Sequence, residues 1–211
     1  MIRYIVSRVR EAAEILMDKG PAFFLKRFIY RDLELVLTEK DLDSLGEYKE
    51  PLLEDGLMLV DIDRELLTRP GLVYPVKSEY HRALGYLGKG YKGVALIRGD
   101  EVGGFIWYTM IDCANQDANH PDVRLLGIAS EKNSSYMFSM LLNPKIRGKN
   151  LAGLLQTSVF KRLREQGVDK AYGTYETKNI PALWVHRSLK WNEIGKFSLS
   201  QFIFIKKAVK I

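Results

Sequence analysis

A strand, a basic turn and a helix follow one another in residues 140–155, MLLNPKIRGKNLAGLL, and this unit constrains the fold more than any other segment. The apolar run ends at Leu142, and Pro144 prevents the strand from continuing because proline has no N–H to donate. A helix is predicted from about Asn150, since the leucines that follow recur at helical spacing, and Gly167 ends it. The chain therefore contains a sheet with at least one helix packed against it.

The turn within this unit has the composition of an anion site. Backbone N–H groups at the start of a helix point outward, and the helix dipole adds partial positive charge. Arg147 and Lys149 add full charges, and Gly148 lets the backbone approach a ligand closely. These features indicate a cradle for a pyrophosphate. They are equally compatible with a basic helix cap that binds no ligand.

Predicted strands and helices alternate from about residue 56 to the end of the chain. Helices are predicted over residues 77–87 and from Pro181, and Asp63 is predicted to cap a short helix. The predicted strands are GLMLVDI, KGVALIR, VGGFIWYTM, SYMFSMLL, KAYGTYE and a closing antiparallel pair, EIGKFSLS and QFIFIKK. The alternation predicts an α/β fold whose mixed, α+β-type sheet carries helices on both faces.

The first 50 residues follow another pattern, and we predict that they form an N-terminal helical extension to a domain over residues 51–211. Apolar residues recur at helical spacing over residues 2–17. A second amphipathic segment covers residues 23–31, and LELVL at residues 33–37 is a candidate short strand.

Composition restricts the class of protein and its compartment. The net charge of +6 favours a phosphorylated cofactor over nucleic acid or an anionic membrane, because Lys and Arg are spread along the chain. The single cysteine, Cys113, excludes an internal disulfide. No apolar run approaches the ~20 residues that span a bilayer. The N-terminus does not have the pattern of a secretory signal, because charged residues interrupt its apolar residues. We therefore expect a cytoplasmic protein.

Residues 147–152, Arg-Gly-Lys-Asn-Leu-Ala, resemble the cofactor-binding signature Arg/Gln-x-x-Gly-x-Gly/Ala of the GNAT superfamily of N-acetyltransferases. Arg147 and Ala152 match its first and last positions. Asn150 replaces the middle glycine, and asparagine also tolerates the left-handed backbone. The resemblance covers about residues 57–211.

A second region resembles the same superfamily, whose members often show Asn, then Ala three residues later, then a helical Tyr and Gly-Phe. Asn179 and Ala182 match this order. His186 occupies the position of the tyrosine, and Lys190-Trp191 replaces Gly-Phe.

The resemblance implies that the cofactor is acetyl-coenzyme A. Its pantetheine would lie between the strands of residues 135–142 and 170–176, which splay apart in this superfamily. Backbone amides near Leu142 would polarise the thioester carbonyl. The implied cofactor-binding residues are Leu141, Leu142, Arg147, Gly148, Lys149, Asn150, Leu151, Ala152 and Asn179.

The resemblance also implies catalytic roles, which the residues leave partly open. By position, His186 is the candidate acid for the departing thiolate; the alternative is a histidine packed beside Trp184 or Trp191. The candidate bases are Glu176, a water chain, or Asp112 in the polar loop DCANQDANHPD. That loop, with Asp112, and the strand residue Trp107 are candidates for binding the acceptor, although an aromatic strand residue is more often part of the core.

We therefore expect an N-acetyltransferase that moves an acetyl group from acetyl-coenzyme A to a primary amine of a small molecule, such as an amino sugar or an amino acid. Two alternatives stay open: a catalytically weak acyl-coenzyme A-binding regulatory module, and a membrane-associated acyltransferase that docks through residues 1–31. We expect a small-molecule amine as partner, no nucleic acid and no metal, and we leave open a homodimer.

Overall fold

A computed structural model describes most of the chain. The described residues are 30–44, 56–202 and 205–211, with isolated residues 9, 12, 13, 16, 17, 20, 21 and 53. The helix predicted over residues 2–17 and the segment at residues 23–31 therefore lie mostly outside the described residues. Within the described part, no helix has the length and apolar character needed to cross a bilayer.

An eight-stranded mixed sheet forms the centre of the fold, in the order β2-β3-β4-β5-β6-β1-β7-β8. Neighbouring strands are antiparallel except β5 and β6, which are parallel. In chain order the strands are β1 (Tyr30–Asp41), β2 (Leu57–Asp61), β3 (Lys92–Arg98), β4 (Glu101–Met110), β5 (Ser134–Leu142), β6 (Lys170–Glu176), β7 (Asn192–Phe202) and β8 (Ile205–Lys210).

Helices connect these strands largely where the sequence predicts them. They are α1 (Arg64–Thr68), α2 (Lys77–Leu87), α3 (Pro121–Leu125), α4 (Leu151–Glu165) and α5 (Ile180–Ser188), with a 3-10 turn at Pro144–Ile146. The predicted cap is confirmed, since Asp63 Oδ1 accepts the N–H of Leu66 at 2.7 Å. Helix α3 is an addition to the prediction, because it begins at the end of the segment predicted as a polar loop.

Helices cover both faces of the sheet, as the sequence predicts. Alternate residues of β3 and β4 enter two separate cores, because successive side chains of a strand point to opposite faces. Val94, Leu96 and Ile106 pack with α4, and the face they share is called the α4 face below. Residues 95, 97, 105 and 107 pack with α2. That opposite face also carries α3 and is called the α3 face.

Strand β1 changes the division of the chain that the sequence predicts. Instead of belonging to a separate helical extension over residues 1–50, residues 30–41 lie inside the sheet between β6 and β7. Leu35 is opposite Glu176 of β6, and Leu33 is opposite Leu199 of β7. The LELVL strand is therefore real but longer than predicted, and it belongs to the main domain.

The boundary between the two closing strands lies later in the chain than the sequence predicts. Strand β7 continues past Ser200 to Phe202, and β8 begins at Ile205. The reason is β1, which supplies β7 with ladder partners as far as the pair Tyr30 and Phe202.

Candidate active site

A cleft opens in the middle of the sheet where β5 and β6 separate. The two strands pair only at Ser134 with Lys170, Ser135 with Ala171, and Tyr136 with Tyr172. Beyond these pairs β5 runs on to Leu142 and β6 to Glu176 without a common ladder. A cavity of about 450 Å³ lies between the separated ends. The splaying predicted for these two strands is therefore confirmed.

The cavity connects the two faces of the sheet. On the α4 face it is lined by Met140, Gln156, His186 and Trp191, and on the α3 face by Leu33, Leu35, Asp122, Phe138, Leu199 and Lys206. A ligand that occupies the cleft can therefore meet a second ligand that arrives from the opposite face.

A β-bulge places unpaired backbone of β5 beside the cavity. Phe138 is opposite Trp107 and Leu141 is opposite Phe105, so Ser139 and Met140 together face the single residue Ile106. Ser139 adopts a left-handed backbone with φ 50°. Such a bulge interrupts the ladder and turns backbone groups in new directions.

The bulge lies next to Leu141 and Leu142, the residues predicted to carry the polarising amides. Leu141 and Leu142 keep ladder partners on β4, and they are absent from the residues that line the cavity. Gly104, the partner of Leu142, makes this pairing close: a Cβ on Gly104 would lie 2.5 Å from Leu142 Cδ2. The two residues of the bulge, Ser139 and Met140, do line the cavity.

The basic turn before α4 has three consecutive residues with positive φ. Gly148, Lys149 and Asn150 have φ values of 98°, 51° and 56°. Asn150 is the N-cap of α4 and is left-handed, as its place in the signature predicts. No atom lies within 4 Å of where a Cβ on Gly148 would be, so a ligand has room to approach the backbone there.

The remaining residues of the predicted signature flank this turn. Arg147 and Lys149 are exposed to solvent. Leu151 is buried in the core, so only its backbone is available to a ligand. Ala152 is half-buried in the first turn of α4.

His186 lines the cavity from α5 and is held firmly. Its Nδ1 lies 2.8 Å from the carbonyl oxygen of Ala182. Its ring packs between those of Tyr175 and Trp191, with centroids 4.9 and 5.1 Å away. Trp191 is in turn fixed by its Nε1, which donates to Gln156 Oε1 at 2.8 Å.

The protonation state of His186 does not suit the role of general acid that the sequence predicts for it. A carbonyl oxygen only accepts, so Nδ1 must carry the proton in this bond. Burial lowers the pKa of His186, against a smaller raising effect of the Ala182 bond, and the ring is therefore neutral near pH 7. Its Nε2 then has a lone pair and no proton to give. The geometry offers a hydrogen-bond acceptor where the sequence predicts a general acid.

Comparison with known proteins identifies the architecture. No protein-family model matches the sequence, and no curated protein matches it. The structure is similar to the glucosamine N-acetyltransferase region of a fungal multi-domain GH3 β-N-acetylglucosaminidase, with a TM-score of 0.60 and 13% identity over 92% of this chain and 23% of that one. The chain has the GNAT fold.

Two further GNAT structures are similar over most of this chain. The first is a tandem GNAT protein from the clavulanic acid biosynthesis pathway, with a TM-score of 0.53 and 15% identity over 92% of this chain and 59% of that one. The second is a GCN5-related N-acetyltransferase from Sphaerobacter thermophilus, with a TM-score of 0.52 and 12% identity over 84% of this chain and 54% of that one. The chain spans less than two thirds of each of these structures.

Two predicted site residues lie beside the cleft of this GNAT fold as expected. Asn179 caps α5, since its Oδ1 accepts the N–H of Ala182 at 3.2 Å, and it lines the cavity. Glu176 also lines the cavity. It is opposite Leu35 in the ladder, and cross-strand partners share a face. Glu176 therefore lies on the α3 face, opposite His186 across the sheet.

Two other predicted site residues lie away from the cleft. Trp107 is 1% exposed and packs against Gly93 and Tyr86 in the core of the α3 face, so it cannot wall an acceptor pocket. Asp112 uses its Oδ1 to accept the N–H groups of Ala114 and Asn115, both at 2.9 Å. It shapes its own loop and does not line the cavity.

The sequence analysis names the polar loop that ends at Asp122 as a candidate for binding the acceptor, but it singles out neither Asp122 nor Lys206. Both line the cavity, and Lys206 Nζ donates to Asp122 Oδ1 at 3.2 Å. The two residues are 84 positions apart in the sequence, so no local motif joins them. The one available signal was Asp122 itself, which follows a proline and marks the start of a helix.

Proposed function

We propose that the protein is an N-acyltransferase that moves an acyl group, most simply acetyl, from acyl-coenzyme A to the primary amine of a small molecule. The observation that carries the proposal is the cleft between β5 and β6, which joins the two faces of a GNAT-fold sheet. A thioester on one face and an amine on the other meet there. Such an enzyme acts largely by aligning its two substrates.

The residues of the α4 face fit the cofactor. The left-handed turn over residues 148–150, with Arg147 beside it, suits the pyrophosphate. The cleft suits the pantetheine, and the unpaired backbone of Ser139 and Met140 suits the thioester oxygen as hydrogen-bond donors to a developing negative charge. When bound, the cofactor supplies an activated acyl group on a sulfur leaving group.

The residues of the α3 face fit the acceptor. An amine arrives mostly as an ammonium and must lose a proton before its nitrogen can form a bond to the thioester carbon. Glu176 lies on this face beside the cleft and is our candidate base. As the new C–N bond forms, the C–S bond breaks and the sulfur departs as a thiolate. Because an ordinary thiol has a pKa of about 8.5, solvent can protonate it, and no histidine acid is required.

His186 then has a positioning role on the α4 face. Its neutral ring, fixed by the carbonyl of Ala182, presents Nε2 as an acceptor beside the cleft. An acceptor at this place can orient a donor group of the bound cofactor. In this proposal, the positioning role replaces the role of general acid that the position of His186 in the sequence suggested.

The test has two stages. Titration of acetyl-coenzyme A followed by calorimetry tests cofactor binding, and release of free thiol in the presence of amines, including amino sugars and amino acids, tests transfer. We expect binding and amine-dependent thiol release. Absence of acetyl-coenzyme A binding to folded protein would contradict the proposal.

A binding module without turnover is the second candidate. Strand β5, SSYMFSMLL, has no carboxylate, and the buried ring of His186 is neutral. This candidate is favoured if acetyl-coenzyme A binds but no amine in a broad panel releases thiol. Docking of residues 1–31 on anionic lipid stays a prediction, which liposome partition of the full chain tests.

A further inference from the structure

An ion pair lines the cavity on the α3 face, and the proposed acyl transfer does not use it. Asp122 belongs to α3 and Lys206 to β8, and Lys206 Nζ lies 3.2 Å from Asp122 Oδ1. The Asp122 side chain is 24% exposed and that of Lys206 is 40% exposed. A ligand that enters the cleft from this face can therefore reach both charges.

A histidine also lies beside Asp122, but it adds no positive charge there. His120 Nδ1 lies 3.8 Å from Asp122 Oδ2, but burial lowers the pKa of His120 to about 4, so that ring is uncharged near pH 7. The same Nδ1 accepts the backbone N–H of Asp122 at 3.3 Å, which holds the start of α3 against the ring. Lys206 is thus the cation that the described structure places on this carboxylate.

Apolar side chains line the cavity on the same face as the pair. Leu33 is opposite Leu199 in the ladder of β1 and β7, and Gln201 is opposite Lys206 in that of β7 and β8. These positions alternate with residues of the α4 face, so they share the α3 face with Leu35. Phe138 completes the wall, with its ring centroid 4.3 Å from that of His120.

From this arrangement we infer the class of acceptor, an inference that rests on the proposed acyl transfer. We propose that the acceptor is a small amino carboxylate with an apolar side chain, whose ammonium pairs with Asp122 and whose carboxylate pairs with Lys206. An α-amino acid zwitterion carries one charge of each sign on two groups attached to the same carbon, and so it complements both members of the pair. Its apolar side chain packs against the leucines.

Other amines complement the site less well. A simple amine or an amino sugar brings only positive charge, so it must compete with Lys206 for Asp122 and is repelled by the lysine ammonium. The transfer itself is the same for all of them. The ammonium loses one proton to Glu176, the amine nitrogen bonds to the acyl carbon, and the C–S bond breaks. The nitrogen gives up its second proton to solvent and becomes an amide, and the departing thiolate takes a proton from solvent.

The experiment compares four acceptors at saturating acetyl-coenzyme A: leucine, leucinamide, 3-methylbutylamine and glucosamine. The amide and the simple amine retain the leucine side chain but lack the carboxylate. One charge-assisted contact corresponds to roughly a tenfold effect or more, so we expect kcat/KM for leucine to exceed that for the other three by at least about tenfold.

Substitutions then locate the preference. Lys206→Met should bring the ratio between leucine and 3-methylbutylamine close to one, and Lys206→Arg should keep it above one. Lys207→Met is the matched control, because Lys207 is the next residue of β8 and is opposite Ser200 instead of Gln201. It should leave the ratio unchanged.

The outcomes separate this inference from the proposed function. If folded protein does not bind acetyl-coenzyme A, the proposed function fails and the inference fails with it. If acetyl-coenzyme A binds and glucosamine or 3-methylbutylamine is acetylated as well as leucine, the acceptor class alone is overturned. Cofactor binding with no transfer to any of the four, or a preference for leucine that persists in Lys206→Met, also overturns it.

Discussion

At the scale of single residues, the turn before α4 shows how a sequence can replace glycine and keep a backbone geometry. Asn150 and Lys190 stand where the GNAT pattern has glycine, and both have positive φ, 56° and 55°. Asparagine adopts this region with little strain. Lys190 lies just after α5, and the residue that follows it, Trp191, is buried in the core. The left-handed geometry of the turn at Asn150 was therefore predictable from the motif.

Arg147 provides the first test at this scale. Arg147→Ala should weaken coenzyme A binding by roughly tenfold or more, as expected for one charge-assisted contact, and should leave pantetheine binding nearly unchanged because pantetheine lacks the pyrophosphate. Calorimetric titration of both ligands measures the difference. Arg164→Ala, at the opposite end of α4, is the control. Equal losses for both ligands would contradict a pyrophosphate contact.

His186 provides the second test. General acid catalysis contributes roughly 10²–10⁴-fold, so removal of a true acid should lower kcat by at least that factor. Because Nδ1 of His186 donates a hydrogen bond to the carbonyl oxygen of Ala182 and Nε2 lacks a proton, we expect His186→Phe to lower kcat by less than about tenfold. A loss above 100-fold that His186→Tyr restores would show instead that a proton donor is needed at this position.

His120 provides a test of pH dependence. Its pKa falls from 6.5 to about 4 on burial, so the unfolded chain binds the proton more readily. The stability from the neutral ring is complete above about pH 6.5 and is lost as pH falls from there towards 4, by roughly 3 kcal/mol in all. His120→Asn keeps a side chain able to cap α3 but cannot titrate. Urea unfolding at pH 7.5 and 4.5 measures the free energy of unfolding, which should fall less between these pH values in the variant than in the wild-type protein. Equal losses would mean that His120 is not buried as a neutral ring.

At the scale of elements, the sequence predicts most strands and helices but not their order in the sheet. Hydrophobic patterning placed α2, α4 and the central strands closely, because the helices bury one apolar face and β3 and β4 are continuous apolar runs buried on both faces. It could not show that β1 pairs with β6 and β7, since the nearest of these partners, Lys170 opposite Asp41, already lies far away in the chain. The ion pair of Asp122 and Lys206 was hidden for the same reason, because tertiary structure alone makes this contact.

Truncation tests the place of β1. Deletion of residues 1–29 leaves β1 complete, and we expect a folded protein that still binds acetyl-coenzyme A. Deletion of residues 1–42 removes the strand between β6 and β7, together with the buried residues Val36 and Leu37, and should prevent folding. Circular dichroism and thermal unfolding report the outcome. A cooperatively folded 43–211 fragment would show that the sheet does not depend on β1.

At the scale of the whole molecule, the cleft divides the sheet into two parts. Strands β2 to β5 form one part, and β6, β1, β7 and β8 form the other. Their direct ladder consists of three residue pairs at one end of β5 and β6. The buried contact between Trp191 and Gln156 of α4 supports the junction from the α4 face. A ligand in the cleft touches both parts, and its binding is expected to stabilise the molecule as a unit.

Hydrogen exchange tests this arrangement over the whole chain. The amides of Ser139 and Met140, which lie in the bulge, should exchange faster than those of Ser134–Tyr136, which lie in the paired part of β5, because exchange follows local opening. Acetyl-coenzyme A should slow exchange at the bulge and at residues 148–151. Adenosine 3′-phosphate 5′-diphosphate, which keeps the pyrophosphate but lacks the pantetheine, should slow it only at residues 148–151. This difference follows from the geometry, since the basic turn precedes α4 while the bulge lies within the cleft. Protection of the bulge by the nucleotide alone, or no protection there by acetyl-coenzyme A, would show that the pantetheine does not occupy the cleft between β5 and β6.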